Sequence, residues 1–171
     1  MAPRLVANRI FLLVLLLALV GCDHTTKFVA KSVLEHQAPA PLIAGVLDLR
    51  YVENTDIAFN LLRFIPEQIR MWLLIAVGAA AVAVLSWGLF RFTATNVAKL
   101  ALLLVTAGAI GNYADRVLRG SVVDFIHLTH WPVFNVADIY VSLGGLALVL
   151  LSLRARQRAR LATHGSGAPP G

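Results

Sequence analysis

Residues 71–90 read MWLLIAVGAAAVAVLSWGLF, twenty consecutive positions without a charge. At the 1.5 Å rise of an α-helix the stretch is about 30 Å long, which matches the hydrocarbon thickness of a bilayer. The rest of the chain has the same character: of 171 residues 58% are hydrophobic and 14% charged, and the mean hydropathy is +0.76. A soluble domain of this size carries far more charge. Three further windows have spanning length once their polar positions are accepted as helical. They are about 10–30, continuing IFLLVLLLALV past Asp23 and Lys27; about 98–117, continuing past Asp115 and Arg116; and about 133–153, interrupted only by Asn135 and Asp138 near its start.

Charge fixes an expected orientation. With both termini cytoplasmic, the inner side holds Arg4, Arg9, Arg91, Lys99, Arg154, Arg156, Arg158 and Arg160, eight bases and no acid, while all nine acids fall at or beyond the outer face. That asymmetry is what the positive-inside rule asks of an even number of spans. The expected fold is an all-α membrane protein: four transmembrane helices, a small β-containing periplasmic subdomain over about 31–70, and both termini in the cytoplasm. One membrane domain over 1–153 and a basic tail over 154–171, disordered at its HGSGAPPG end, complete the plan. The basic balance (pI about 10.3) is read as a topology anchor at anionic headgroups, with no nucleic-acid partner. LVGC at 19–22 has the form of a lipoprotein cleavage site, but secretion would place the basic 91–99 loop and tail outside. Cys22 is therefore read as a small buried hydrophobe in the first span.

Within the external segment, the alternation over 46–52 predicts a short strand. Pro66 and Glu67 can open either a short amphipathic helix or the second span itself.

Chemistry concentrates between Gly108 and Asp138, where an apolar sequence suddenly carries GNYADRVLRGSVVDFIHL and FNVAD. Ionisable groups at membrane depth cost several kcal/mol each and mark function by default. Asn112, Asp115, Arg116 and Arg119 share one helical face, as do Asn135, Asp138, Ser142 and Gly145 on the fourth span and Asp23, Thr26 and Lys27 on the first. The bland reading pairs Asp23 with Lys27 and Asp115 with Arg116 and makes the asparagines interhelical glue. Asp124, in the short outer connection, and Asp138, about six residues inside the fourth helix, have no basic partner at helical spacing. Two carboxylates brought together in a low-dielectric site cannot both ionise, so one keeps its proton while the other acts as a base. That pattern is the chemistry of aspartic peptidases, and it needs no metal or cofactor. HLTH at 127–130 is a weak zinc candidate without the HExxH pattern, and Gly108, Gly111, Gly144 and Gly145 are read as close helix contacts. A small transporter or proton relay, and a catalytically silent binding protein, are the rival classes.

Together DHTTK (23–27), NTDIAF from Asn54, GAIGNYADR (108–116) with VVDF around Asp124, and FNVAD (134–138) resemble the lipoprotein signal peptidase family, also called signal peptidase II. The resemblance runs from about residue 10 to residue 153. It implies a four-helix inner-membrane aspartic endopeptidase, inhibited by globomycin-like cyclic peptides, that cuts diacylated prolipoproteins just before the lipid-modified Cys. It also implies that Asp124 and Asp138 are the catalytic pair and that Asp23, Lys27, Asn54, Asn112, Arg116 and Asn135 are supporting or substrate-binding positions; separately, a monomer is expected. Two positions depart from the family pattern: His24 stands for Gln in Asp-Gln-x-x-Lys, and Asp56 for Gly in Asn-x-Gly-x-Ala-Phe. Asp56 is expected to alter the flap over the site and with it substrate range or inhibitor response.

Overall fold

A computed structural model describes residues 2–55, 64–91 and 95–165. Four helices carry the molecule: α1 (Ala2–Leu34), α2 (Glu67–Arg91), α3 (Asn96–Arg119) and α4 (Val136–Gly165). All four are long and apolar enough to cross a membrane. Each extends beyond its expected window because polar turns continue it at one or both ends. Pro66 supplies the carbonyl for the Arg70 N–H (2.9 Å), so Pro66 and Glu67 start α2 rather than a separate helix. Conversely α4 begins at Val136, not 133, and runs on through the basic segment to Gly165.

Between α1 and α2 lie β1 (Ala40–Ile43) and β2 (Leu47–Asn54), and between α3 and α4 lies β3 (Val122–Leu128). They form one antiparallel sheet in the order β1-β2-β3. The sheet therefore caps one end of the bundle, and the start of α1, the end of α2, the start of α3 and the end of α4 lie at the other. The expected strand over 46–52 is β2. β1 and β3 are additions; β3 shows no alternation because Val122, Val123, Asp124 and Phe125 are all buried. Phe125 and Ile126 pack with Ala30 and Leu34 of α1 and Leu49 and Tyr51 of β2, which seats the sheet on the first helix.

α3 is the central helix, touching α1, α2 and α4. Thr95 caps its start, accepting the Ala98 N–H at 3.3 Å, and Gly120 ends it in a left-handed conformation (φ 76°) with its N–H on Arg116 O at 3.0 Å. Its fit against α4 depends on glycine: a β-carbon on Gly108 collides with the Ala137 carbonyl, and one on Gly144 would sit 2.5 Å from the Ala101 carbonyl. Gly145, by contrast, faces open space, so only one of the two adjacent glycines makes the contact. Overpacking of this kind costs typically about 1–3 kcal/mol. Gly108→Ala is accordingly expected to lower the thermal melting point in detergent, and an unchanged melt would contradict the close approach.

The molecule is organised inside-out. Leu17, Phe28, Trp72, Val84 and Leu146 are exposed, as suits a surface facing lipid, whereas the largest fully buried side chains include Lys27, Asn135, Thr106, Asp23 and Asp115. An apolar cluster of Leu16, Leu89, Leu103 and Ala107 holds the bundle below them. Cys22 is exposed rather than buried, because it sits about 100° round α1 from Asp23, the residue that faces inward.

Candidate active site

The site starts from a helix cap. The chain turns after β3 and folds back: Ile126 and Phe134 exchange both backbone hydrogen bonds (2.9 Å each), which keeps Phe134 extended and delays α4 to Val136. Asn135 becomes the N-cap. Its Oδ1 accepts the Asp138 N–H (3.1 Å), and Asp138 Oδ2 accepts the Asn135 N–H (3.1 Å). This reciprocal pair is a capping box written Asn-x-x-Asp. Asp138 therefore sits in the first turn of α4, shallower than the six residues expected, with its χ angles fixed by its own helix end.

Asp124 reaches the same place from the sheet. On β2 Val52 pairs with Asp124, so Asn54, two residues on, presents its side chain to the same face. Asn54 Nδ2 donates to Asp124 Oδ2 at 2.9 Å, and Asn135 Nδ2 donates to Asp124 Oδ1 at 2.7 Å. Asn135 thus touches both acids: Asp124 through its amide and Asp138 through its backbone. The two sequence-predicted acids come together, one buried at 3% exposure and the other half-buried.

Asn112 of α3 forms the next layer. Its Nδ2 donates to Asp138 Oδ1 (2.9 Å), while its Oδ1 accepts from Lys27 Nζ (3.0 Å) and Asn135 Nδ2 (3.1 Å). The ammonium dictates the amide orientation, since only the oxygen can face a cation. Lys27, wholly buried, also lies 2.8 Å from Asp23 Oδ2 and 2.8 Å from Asp115 Oδ2, contacts that are ion pairs rather than aligned hydrogen bonds. Asp23 in turn accepts the Ala137 N–H (2.9 Å), so a carboxylate of α1 satisfies a free donor at the N-terminus of α4. A β-carbon on Gly111 would occupy the space of that carboxylate.

Every expected supporting residue is therefore near the pair, with one change of partner. Asp115 pairs with Lys27 and, more distantly at 3.8 Å, with Arg119, not with its neighbour Arg116. Adjacent residues on a helix point about 100° apart, so geometry disfavours that pairing. Arg116 instead donates to the Asn112 carbonyl (3.2 Å) and lies within electrostatic reach of Asp124, Asp138 and Asp115. Sequence reasoning reads Gly111 as a close helix contact, which it is, but misses that the contact is the Asp23 carboxylate, and it misses the Ala137 amide. A glycine one residue before Asn112 and one helical level from Asp23 is the available signal for the first; a backbone donor leaves none. Asp56, expected from sequence to alter the flap, lies outside the described residues. His127, the zinc candidate, has its Nδ1 against Asp48 Oδ2 at 2.9 Å.

Burial first, and the neighbouring charge of Asp138 second among the raising causes, push the Asp124 carboxyl up to about 6, against the opposing Asn54 and Asn135 donors and Lys27. Asp138 lines a cleft of about 250 Å³ together with Leu128, Trp131, Phe134, Ile139 and Leu143. The arrangement thus has a sheltered acid, an accessible acid and an apolar approach.

The profile of the family described as Signal peptidase (SPase) II matches residues 15–154. A lipoprotein signal peptidase of Brevibacillus brevis is 37% identical over 135 residues, covering 77% of this chain and 87% of that protein. Another from Streptococcus pyogenes serotype M6 is 34% identical over 146 residues, covering 84% and 92%. In fold the chain is similar to a solved bacterial membrane enzyme, with a TM-score of 0.77 at 23% identity over 86% of this chain and 90% of that one. With a family match spanning all four helices and the sheet, and relatives of this identity along most of its length, the chain belongs to the signal peptidase II family.

Proposed function

We propose that this protein is a membrane aspartic endopeptidase that removes signal peptides from prolipoproteins, cutting just before the diacylglyceryl-modified Cys. Family membership supports the substrate class, and the observation that carries the chemistry is the joining of Asp124 and Asp138 through Asn135. Asp138, open to the cleft, is the base; Asp124, sheltered on β3, holds the proton. Asp138 takes a proton from water as its oxygen adds to the scissile carbonyl carbon, and Asp124 gives its proton to the carbonyl oxygen. The tetrahedral adduct then collapses: the C–N bond breaks, the leaving nitrogen takes the proton from Asp138, and a hydroxyl proton returns to Asp124. Asn112 and Asn135 hold the pair, Arg116 and Asn54 flank it and meet the substrate backbone, and Asp23 and Lys27 fix the helix ends that carry it.

The protein sits in the bacterial inner membrane as one domain with both termini cytoplasmic, and its sheet and acids face the periplasm. The basic residues Arg4, Arg9, Arg91, Lys99, Arg154, Arg156, Arg158 and Arg160, at the end remote from the sheet, support this orientation. A substrate held by two acyl chains then arrives at the level of Asp138. The enzyme works as a monomer without metal or nucleic acid, and globomycin-type peptides occupy the same cleft. Purified protein in nanodiscs is expected to cut a diacylated precursor on the N-terminal side of its Cys, as read by mass spectrometry. Proton or solute flux in proteoliposomes without any cut would instead favour a transporter.

The pair titrates as a unit, and its activity requires the proton on Asp124, so kcat/KM falls as pH rises through that ionisation. Asn54 donates to the ionised form and therefore lowers this carboxyl. Removing the donor in Asn54→Leu favours the protonated form. The alkaline limb of kcat/KM is expected to move up by about one pH unit, the equivalent of one charge-assisted hydrogen bond. A limb that stays in place or moves down would exclude Asp124 as the proton holder.

A further inference from the structure

The sheet ends in two turns that are fastened together. In the first, Val46 N donates to Ile43 O (3.0 Å) around Gly45, whose φ is 72°. In the second, Trp131 N donates to Leu128 O (2.9 Å) past His130 at φ 66°. Thr129 ties one to the other: its N–H donates to Val46 O (3.0 Å) and its hydroxyl to Gly45 O (2.6 Å). The joined turns present Leu42, Ile43, Val46, Leu128 and Trp131, which are 38–60% exposed. Five large apolar side chains on one small tip are more than scattered surface residues explain.

The charges beside the tip are satisfied among themselves. Arg50 Nε and Nη2 donate to the two oxygens of Asp48 at 2.7 and 2.8 Å, and His127 meets the second oxygen at 2.9 Å. Arg50 chiefly, and His127 after it, hold the Asp48 carboxyl down to about 2. The tip is also continuous with lipid-facing helix. The cleft lined by Leu128, Trp131, Ile139 and Leu143 joins it to α4, where Leu143, Leu146 and Leu150 carry the exposed apolar stripe along the span.

We infer that the two fastened turns form a membrane-seated tip: Leu42, Ile43, Val46 and Trp131 lie in the headgroup–acyl boundary of the leaflet at the sheet end, and their partner is the lipid surface itself. The continuity with the α4 stripe selects lipid as the occupant, and an indole at a span end is the side chain favoured at such a boundary. The inference rests on the membrane reading of the four helices. It adds that β3, and with it Asp124, is held at a fixed depth from its far end as well as from α3.

The single cysteine makes the test direct. In a Cys22→Ser chain, nitroxide labels are placed singly at Leu42→Cys, Val46→Cys and, as a lipid reference, Leu146→Cys, in nanodiscs of phosphatidylethanolamine and phosphatidylglycerol. At 42 and 46 dissolved oxygen is expected to relax the label several-fold more effectively than a water-soluble nickel chelate, in the same sense as at 146. Nickel access at 42 and 46 equal to that of a free label would overturn the inference, and so would exclusion of both reagents, which would mean a second copy of the chain covers the tip. The ratio is read without substrate, so a failure here is separate from a failure of peptidase activity.

Discussion

Asp124→Asn and Asp138→Asn are each expected to lower kcat for prolipoprotein cleavage by about 10³-fold or more, the upper part of the range for removing an acid–base group. Asn matches Asp in size and keeps one of the two accepting oxygens, while its Nδ2 replaces the other and gives up one hydrogen bond from the Asn54, Asn112 and Asn135 amides. Asp138→Asn places a side-chain oxygen where it can keep the capping bond from the Asn135 N–H, so α4 still starts at Val136. What it cannot do is accept the proton of water. Asp124→Asn keeps a donor toward the carbonyl but loses the group that gives up and recovers a proton. The melting point in detergent is expected to stay within a few degrees for both variants, separating chemistry from folding. A large fall in melting point with a proportionate fall in activity would make the acids structural.

Lys27→Met is expected to destabilise the protein by about 3–5 kcal/mol, the range for removing one partner of a buried ion pair. The loss exceeds that of a surface pair because Asp23 and Asp115 then remain buried without the ammonium at 2.8 Å, with only His24 and Arg119 beside them at 3.8 Å. Against a total stability of about 5–15 kcal/mol, this is enough to deplete folded protein. Neutralising the whole group, Asp23→Asn with Lys27→Met and Asp115→Asn, should restore most of the melting point. No charge is then left buried at the three positions, and the amide introduced by Asp23→Asn retains an oxygen for the Ala137 N–H. A Lys27→Met protein that melts like the wild type would show that the triad is not a joint of α1, α3 and α4.

Hydropathy makes the helices legible, since residues 71–90 admit no other reading, and helical period is enough to collect Asn112, Asn135 and Asp138 on facing surfaces. Strand β3 is not legible, because burial on both faces erases the alternation that identifies a half-exposed strand. Without β3, Asp124 stays in a loop, and the way Asn54, seventy residues earlier, comes to bind it across the β2–β3 ladder is hidden. The start of α4 is read too early because Pro132 is a good helix opener. The Asn-x-x-Asp box at 135–138 is in the sequence but reads as a cap only once Phe134 is known to be extended. Proximity in sequence assigns Asp115 to Arg116, whereas its partner Lys27 comes from another helix, a pairing no local spacing reports. Cys22 looks buried because its whole segment is apolar; in a membrane protein that same apolarity marks the outer surface.

Under the proposed function, two acids from different elements act as one cutting unit. Groups that act as a unit lose their effect together, so single and combined replacements have similar consequences. The direct test is single-turnover cleavage of a diacylated precursor by the wild type, Asp124→Asn, Asp138→Asn and the double variant, each verified as folded by its melt. Each single variant should be as inactive as the double. A single variant retaining activity within tenfold of the wild type, or a double variant worse by the product of two independent losses, would contradict the assignment.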